Sequence, residues 1–597
     1  LAIVGNPAWR RKLNPMLKTS WFVLCILLAV SCPHVVRAQA TVNPAAKQPD
    51  APPLRPKPEA RPGWWNEAVF YQVFVRSFAD SREGPLAGDG IGDIAGLIER
   101  LDYLNDNNPQ TTTDLGVTAL WLMPMTQSPS YHGYDTTDYR TIEADYGTNE
   151  DFQRLMAACK ARGIRVIVDL VLNHCSSKHP WFAEATAPGS AKRDWFIWAD
   201  ANPGYKGPWN QTVWHRSRAN PRLGFYYGIF NDDMPDLNYE NAAVSEEMMQ
   251  TCEFWLTELK VDGFRLDAVR HLIEDGATQD STAATHAWLR QFAKRMRAAK
   301  SDVFNVGEVW ASTATAAAYV HGQDESEMDS CFEFDLAGAT LGAVNSGNAA
   351  PLAKQLELTW RSFPDNQFST FLANHDQTRV MTTLKGDMNK ARLAAGLLLS
   401  LPGIPFIYYG EELGMSGDKP DPKLRTPMQW TASPIATKSE PTALLAPFTT
   451  GKPWQTANSD GTRVNAVRQT NDRTSLLSWY RTLVALRRTE PALLRGGYAP
   501  VTSTHPSVLA FIRTLPADVA QEAAADMLIL VNLSADPVEK YTLTGRQTGL
   551  RAGRTAQAEL TGGEKLEPFA IGQQGEVVDI TPIKRLRPLS INIISLK

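Results

Sequence analysis

Residues 261–271 read VDGFRLDAVRH. Val261 to Leu266 has the pattern of a buried strand, and it closes on Asp267, an acid whose burial is costly unless a site uses it. The design recurs twice. VFNVGEVW carries Glu308 behind Val303 to Gly307, and STFLANHD closes on Asp376. One acidic strand end reads as readily as a helix cap or half of a core ion pair. Three such ends, two with a polar neighbour (Arg265, His375), point to one shared site.

Outward from this segment, short apolar runs alternate with amphipathic stretches. The candidate strands are 69–75, 117–122, 164–169, 261–266, 303–307, 331–335, 370–373 and 404–408. Helical spacing marks 151–162, 242–260, 283–299, 352–361 and 388–399. Strands apolar on both faces and alternating with helices imply a parallel sheet, and eight imply a closed (β/α)8 barrel. The expected class is therefore α/β, with the barrel in two parts, 64–174 and 236–490. Between them, 175–235 is rich in Trp, Pro, Gly and Asn and reads as a small inserted domain. Beyond 490, the runs 508–513, 527–532, 541–544 and 591–595 suggest an antiparallel β-sandwich over 491–597, with 516–526 as an Ala- and acid-rich hairpin loop.

The first 38 residues read as an export signal: Arg10, Arg11, Lys12 and Lys18 precede an apolar stretch, Trp21 to Cys32, too short to span a bilayer stably. Secretion or delivery to the periplasm is the expectation. Lipid anchoring at Cys32, after AVS, is the alternative and the one route to a membrane. Residues 39–63, rich in Pro and Ala, read as a tether. A formal net charge of −4 and the lack of a basic run interleaved with aromatics argue against a nucleic-acid partner. Cys159, Cys175, Cys252 and Cys331 show no metal-ligand spacing and read as buried thiols.

In such a barrel the polar residues closing the strands form the site. Here they are His132, Tyr134 and Asp135 after the second strand, Asp169, Asn173 and His174 after the third, and Arg265 and Asp267 at the fourth. Glu308 follows at the fifth, with His375 and Asp376 at the seventh. This ring suits acid–base and nucleophilic work on a neutral, hydroxyl-rich substrate. It lacks a serine or cysteine triad, a phosphate-cradling Gly loop and a three-histidine zinc set. Arg265, two residues before Asp267, shares its face of the strand, so its guanidinium should lower the Asp267 pKa. Glu308, among apolar neighbours, should be raised, as a proton donor requires. Asp169 reads as a brace.

DLVLNH (169–174), GFRLDAVRH (263–271), GEVW (307–310) and ANHD (373–376) resemble the conserved segments of the α-amylase family of glycoside hydrolases, family thirteen. GVTALWLMP (116–124), MPDLN (234–238) and GIPFIYYGEE (403–412) extend the likeness, which is nearest to the group intermediate between oligo-1,6-glucosidases and neopullulanases. The resemblance implies Asp267 as nucleophile, Glu308 as general acid and base, and Asp376 as the carboxylate that binds sugar hydroxyls. It implies substrate contacts from Tyr134, His132, Asp135, His174, Arg265, Arg270, His271, His375 and Arg379.

The same resemblance implies structural calcium. One loop would use Asp80, Asp89, Asp93 and the Ile91 carbonyl, although Arg82 to Gly88 interrupts the family's tighter loop, and a solvated acidic turn is the competing reading. A second site would use Asn173, the His271 carbonyl and acids from the inserted domain. Ala268, after the nucleophile, and the pair Arg270–His271 resemble enzymes cutting α-1,4 bonds. RTPMQW (425–430) with TTGKPW (449–454) resembles exo-acting α-glucosidases and trehalose synthases. The expectation is an endo-acting α-amylase on starch-like glucans and maltooligosaccharides, using a retaining double displacement. The alternative is an exo-acting α-glucosidase, cyclomaltodextrinase or glucosyl-transferring enzyme. A non-catalytic relative would lack part of the carboxylate set, which is complete here.

Overall fold

Eight strands follow one another around a closed barrel: β1 Phe70–Val73, β2 Ala119–Leu122, β3 Arg165–Leu170, β4 Gly263–Leu266, β5 Phe304–Gly307, β6 Ser330–Phe332, β7 Phe368–Thr370 and β8 Ile404–Tyr408. Every neighbouring pair is parallel, β8 closing on β1. The computed structural model describes residues 60–597 apart from 219, 321–326, 436–445, 516–523, 546–547, 549, 551–555, 561–563, 570 and 573–574. The export signal, nearly all of the tether and most of the 516–526 loop therefore lie outside the described residues. Of all barrel-strand residues only Arg165 is not buried, because helices cover the outer face and side chains fill the interior.

That filling is aromatic. Phe70 stacks on Phe406 at 4.3 Å, Phe332 meets Phe406 at 4.9 Å, and Trp65 stacks on Phe304 at 5.2 Å. With the barrel plugged, polar groups gather at the C-terminal strand ends. β7 ends at Thr370, three residues short of the expected 370–373 strand. Phe371 to Ala373 are buried but unpaired, so the apolar run outlasts the hydrogen-bond ladder.

Between β3 and β4 the chain forms a three-stranded antiparallel sheet, with Phe225–Tyr227 between Trp198–Ala199 and Trp214–Arg216. It has its own small core of Val213, Trp214, Tyr227 and Ile229. Backbone bonds from Cys175 N to Pro235 O (3.2 Å) and from Leu237 N to Asn173 O (2.9 Å) fasten its two ends together above β3.

The C-terminal β domain has seven antiparallel strands: β9 Gly497–Ser503, β10 Val508–Thr514, β11 Asp526–Asn532, β12 Leu543–Gly545, β13 Ala556–Leu560, β14 Val577–Ile580 and β15 Ser590–Leu596. They join in one sheet of order β13-β15-β11-β10-β9-β12-β14. The side-chain period of two divides its central strands between two cores. Leu509, Phe511, Ile529 and Ile593 pack with the barrel helices, while Ala510, Ile512, Leu528 and Ile594 join Val501, Leu543 and Val577 in a core of the domain's own.

The motifs after β8 have an architectural part. Met428 N donates to Ser77 O (2.7 Å) and Trp430 Nε1 to Phe78 O (2.6 Å). Trp454 N donates to Gly90 O (2.9 Å), and the Thr449 hydroxyl donates to Asp80. RTPMQW and TTGKPW thus lace the last strand's loop onto the first strand's loop.

Candidate active site

Asp267, Glu308 and Asp376 come from strand ends far apart in sequence and line one cavity of about 710 Å³. Arg265, fully buried in β4, joins the first two: its Nη1 lies 2.6 Å from Asp267 Oδ1 and its Nη2 lies 2.8 Å from Glu308 Oε2. Ala268 takes the left-handed backbone conformation (φ 46°, ψ 35°), a strained one for a residue that carries a Cβ. That turn aims its N–H at Glu308 Oε2, 3.1 Å away. Glu308 is therefore held through Oε2 and Asp267 through Oδ1. Oε1 and Oδ2 have no hydrogen-bond partner among the described residues.

Asp376 is held from the other side. Arg425 Nη2 donates to Oδ1 at 2.9 Å, and His375 Nε2 lies 3.0 Å from Oδ2. Gln72 Nε2 lies 2.8 Å from His375 Nδ1, so with the amide donating, Nε2 carries the proton and faces Asp376 and the Tyr134 hydroxyl (2.6 Å). Tyr134 in turn donates to Asp169 Oδ2 at 2.9 Å. Asp169 also accepts from Arg265 Nη1 (2.9 Å) and Trp121 Nε1 (3.2 Å). It braces Arg265 and stays out of the cavity lining.

Burial dominates the titration. It pushes Glu308 up to about 7, with Arg265 opposing and Asp267 and Asp376 adding to the rise. Asp267 is also pushed up by burial, to about 6; Arg265 opposes this, but desolvation together with the charge on Asp169 wins, so the expected lowering does not occur. Asp376 moves the other way. Its burial penalty is outweighed by His375 and Arg425, which keep it ionised. Desolvation lowers His132, His174 (to about 4) and His375, which disfavours their charged forms.

Several expected contacts line the cavity: His132, Tyr134, His174, Arg270 and His271. His174 Nε2 sits 3.1 Å from the Tyr134 carbonyl, and Arg270 Nη1 donates to the Trp310 carbonyl at 2.7 Å. Asp135 is buried behind His132, accepting from the Ser128 hydroxyl (2.7 Å) and from Ser130. It shapes the loop and does not face the cavity. Arg379 is a correction as well: its Nε and Nη1 donate to the carbonyls of Leu424 (2.8 Å) and Tyr409 (2.7 Å), and its guanidinium lies over Tyr408. Sequence reasoning missed Arg425, although it opens the RTPMQW segment already singled out. It also missed Trp209, Phe230, Trp310, Lys419 and Asp421 on the walls.

The first expected calcium loop does not fit the ion. Asp80 accepts the N–H groups of Gly88 and Gly90 at 2.9 Å each, Asp93 those of Gly96 (2.7 Å) and Ser81 (3.0 Å), and Asp89 that of Ile91 (2.8 Å). Calcium needs oxygen donors, whereas this loop turns its amide protons toward the acids. No three His, Cys, Asp or Glu side chains gather for a metal among the described residues. The second expected site differs. Asn173 Oδ1 and Asp236 Oδ2 are buried oxygens without a hydrogen-bond partner, as is Glu274 Oε1. Burial and then the Glu274 charge push Asp236 up, and burial pushes Glu274 up to about 8. An amide and two strained carboxyls are a donor set that fits a hard cation.

Residues 72–496 match the family model "Alpha amylase, catalytic domain", more than half of the chain. The chain belongs to the α-amylase family of glycoside hydrolases and transglycosylases. It is 37% identical over 453 residues to "Alpha-amylase 3" of Dictyoglomus thermophilum, covering 75% of this chain and 82% of that protein. It is 35% identical over 523 residues to a "Trehalose synthase/amylase" of Mycolicibacterium smegmatis, covering 79% and 84%. Among solved structures, that of an α-amylase from H. orenii superposes with a TM-score of 0.72 at 34% identity, covering 89% of this chain and all of the other.

Proposed function

We propose that this protein is an endo-acting α-amylase that hydrolyses α-1,4 bonds in starch-like glucans by a retaining double displacement. The observation carrying this reading is that one guanidinium holds both Asp267 and Glu308 in the lining of a single cavity of about 710 Å³. One Arg reaching two carboxyls supports the short separation, roughly 5 Å, of a retaining pair. In the first step Asp267 Oδ2 attacks the anomeric carbon while Glu308 passes its proton from Oε1 to the leaving oxygen. In the second step Glu308, now ionised, takes a proton from a water whose oxygen bonds to the anomeric carbon as the bond to Asp267 Oδ2 breaks, which frees the sugar and restores the Asp267 carboxylate. With Glu308 protonated, Arg265, Asp169 and Asp267 sum to one negative charge, and Arg425 with Asp376 to none. That balance favours a cationic, oxocarbenium-like transition state.

Exo action or glucosyl transfer is the competing reading. It is favoured by Lys419, Asp421 and Arg425, which crowd the side of the cavity nearest Asp376, and by the similarity to a trehalose synthase/amylase. A product time course on soluble starch separates the two. Mixed oligosaccharides at the earliest times support internal cutting; glucose alone, or a disaccharide isomer, contradicts it.

Calcium at Asn173, Asp236 and Glu274 belongs to the same proposal. There it would neutralise the acids and pin the inserted segment to the barrel beside His174. Export is proposed on the basic and apolar pattern of the first 38 residues. Among the described residues, no helix is long and apolar enough to cross a membrane.

A further inference from the structure

Gln72 is a buried amide in the first barrel strand. The side-chain period of two in β1 turns Phe70 and Gln72 to the barrel interior, while Tyr71 and Val73 join the core under the helices. Phe70 belongs to the aromatic plug, and Gln72 lies one layer nearer the strand mouths. It is 2% exposed and stays out of the cavity lining. An amide so placed is unfavourable unless bonded, and its bond is to His375: Gln72 Nε2 lies 2.8 Å from His375 Nδ1.

His375 is fully buried and held on every side. Its ring lies flat against Tyr134 (5.4 Å, 7° between planes) and meets the edge of Trp121 at 5.7 Å, and its carbonyl accepts from Arg425 Nε at 3.1 Å. Nε2 faces two oxygens, Asp376 Oδ2 at 3.0 Å and the Tyr134 hydroxyl at 2.6 Å, and the one proton of that hydroxyl goes to Asp169. Two acceptors in front of Nε2 require a proton on it. The charge of the ring is then decided at Nδ1, where a donor leaves a neutral imidazole and an acceptor draws a second proton.

Gln72 can present either end of its amide, and the surroundings select the donor. Burial disfavours the charged ring; the charge on Asp376 opposes this, while Arg425 and Arg265 add to it. The balance of charge agrees. With Glu308 protonated, Arg265, Asp169, Asp267, Arg425 and Asp376 sum to one negative charge, which an imidazolium would cancel. We propose that Gln72 is a positioning residue of the glycosidic reaction: by donating to Nδ1 it keeps His375 neutral, with its one proton turned to Asp376, so that the site retains its negative charge for an oxocarbenium-like transition state. Gln72 acts through His375 and Asp376 and touches no sugar. The kinetic half of this inference rests on the glucan reading of the site; the protonation of His375 does not.

The test reads ring and rate separately. In protein carrying isotope-labelled histidine, the His375 ring nitrogens are the NMR signals missing from His375→Gln. Wild type should show Nε2 protonated and Nδ1 bare from about pH 5 to about pH 8. In Gln72→Met, which keeps the length and loses the donor, Nδ1 should gain its proton at a higher pH than in wild type. Gln72→Glu puts an acceptor in nearly the same place. It should show both nitrogens protonated at about pH 7, and its kcat/KM for maltopentaose should fall about tenfold or more. A mere anchor for the ring predicts otherwise, since Glu bonds Nδ1 as well: wild-type kcat/KM in folded Gln72→Glu overturns the inference, and so does a wild-type His375 carrying a proton on Nδ1 at about pH 7. If the ring behaves as stated while wild type leaves maltopentaose intact, the glucan reading falls and the hold of Gln72 on His375 stands.

Discussion

Asp267 and Glu308 share one guanidinium and are both raised by burial, so their protons leave in two steps that belong to the pair. Catalysis needs the singly ionised form. The profile of kcat/KM against pH should therefore be bell-shaped, rising near pH 6 and falling near pH 7. Asp376→Asn removes a negative charge that raises Glu308, so in its residual activity the alkaline limb should move to lower pH. Stability follows the opposite course to acid activation. A carboxyl whose folded pKa exceeds its unfolded value keeps more protons when folded, so the stability it contributes is lost as pH rises toward and through the folded pKa. Glu308→Gln should accordingly be inactive yet melt above wild type at pH 8, with the gap closing by pH 5. An unchanged melting temperature at pH 8 would contradict the burial argument. Arg425→Ala should cost about a hundredfold in kcat/KM, the scale of losing one preorganised donor, and Lys should not rescue it. The reason is that Arg425 also donates Nε to the His375 carbonyl at 3.1 Å, a geometry that an ammonium cannot reproduce.

Among the elements, the barrel strands were the most legible, because short apolar runs alternate with helical spacing and three of them lead into an acid, Asp267, Glu308 and Asp376, that a folded protein places at a strand mouth. The residues that escaped notice act across distance in sequence. Arg425 reaches Asp376 from forty-nine positions away, and nothing local marks that meeting. Arg379, three residues beyond Asp376, misled for the converse reason: proximity suggested a substrate contact, yet its fork satisfies loop carbonyls. In the C-terminal domain, β9 was hidden by Gly497 and Pro500, and β13, reading AQAEL, by its polarity. Near β3, the buried oxygens of Asn173 and Asp236 make a prediction of their own. Chelation should lower the melting temperature of wild type, and Asp236→Asn should abolish that shift. An identical chelator response in the two proteins would remove the cation from that position.

For the whole molecule, the C-terminal sheet and the barrel share one continuous apolar core. Gly396, on the helix Met388–Ser400, illustrates the closeness: a Cβ there would lie 2.7 Å from Ile591 Cγ2 on β15. Arg513 of β10 adds charged-donor bonds to the barrel carbonyls of Ser400 (3.0 Å) and Leu401 (2.9 Å). Phe511→Ala, which empties a fully buried position in this shared core, should cost about 3–5 kcal/mol and move a single unfolding transition. Two transitions, with only one displaced, would mean that sheet and barrel unfold independently. The central claim, however, concerns one bond. Glu308→Gln treated with a 5-fluoro-α-glycosyl fluoride should accumulate a covalent sugar, and peptide mass spectrometry should place it on Asp267. A label on any other residue would contradict the convergence of Asp267, Glu308 and Asp376 on a single glycosidic carbon.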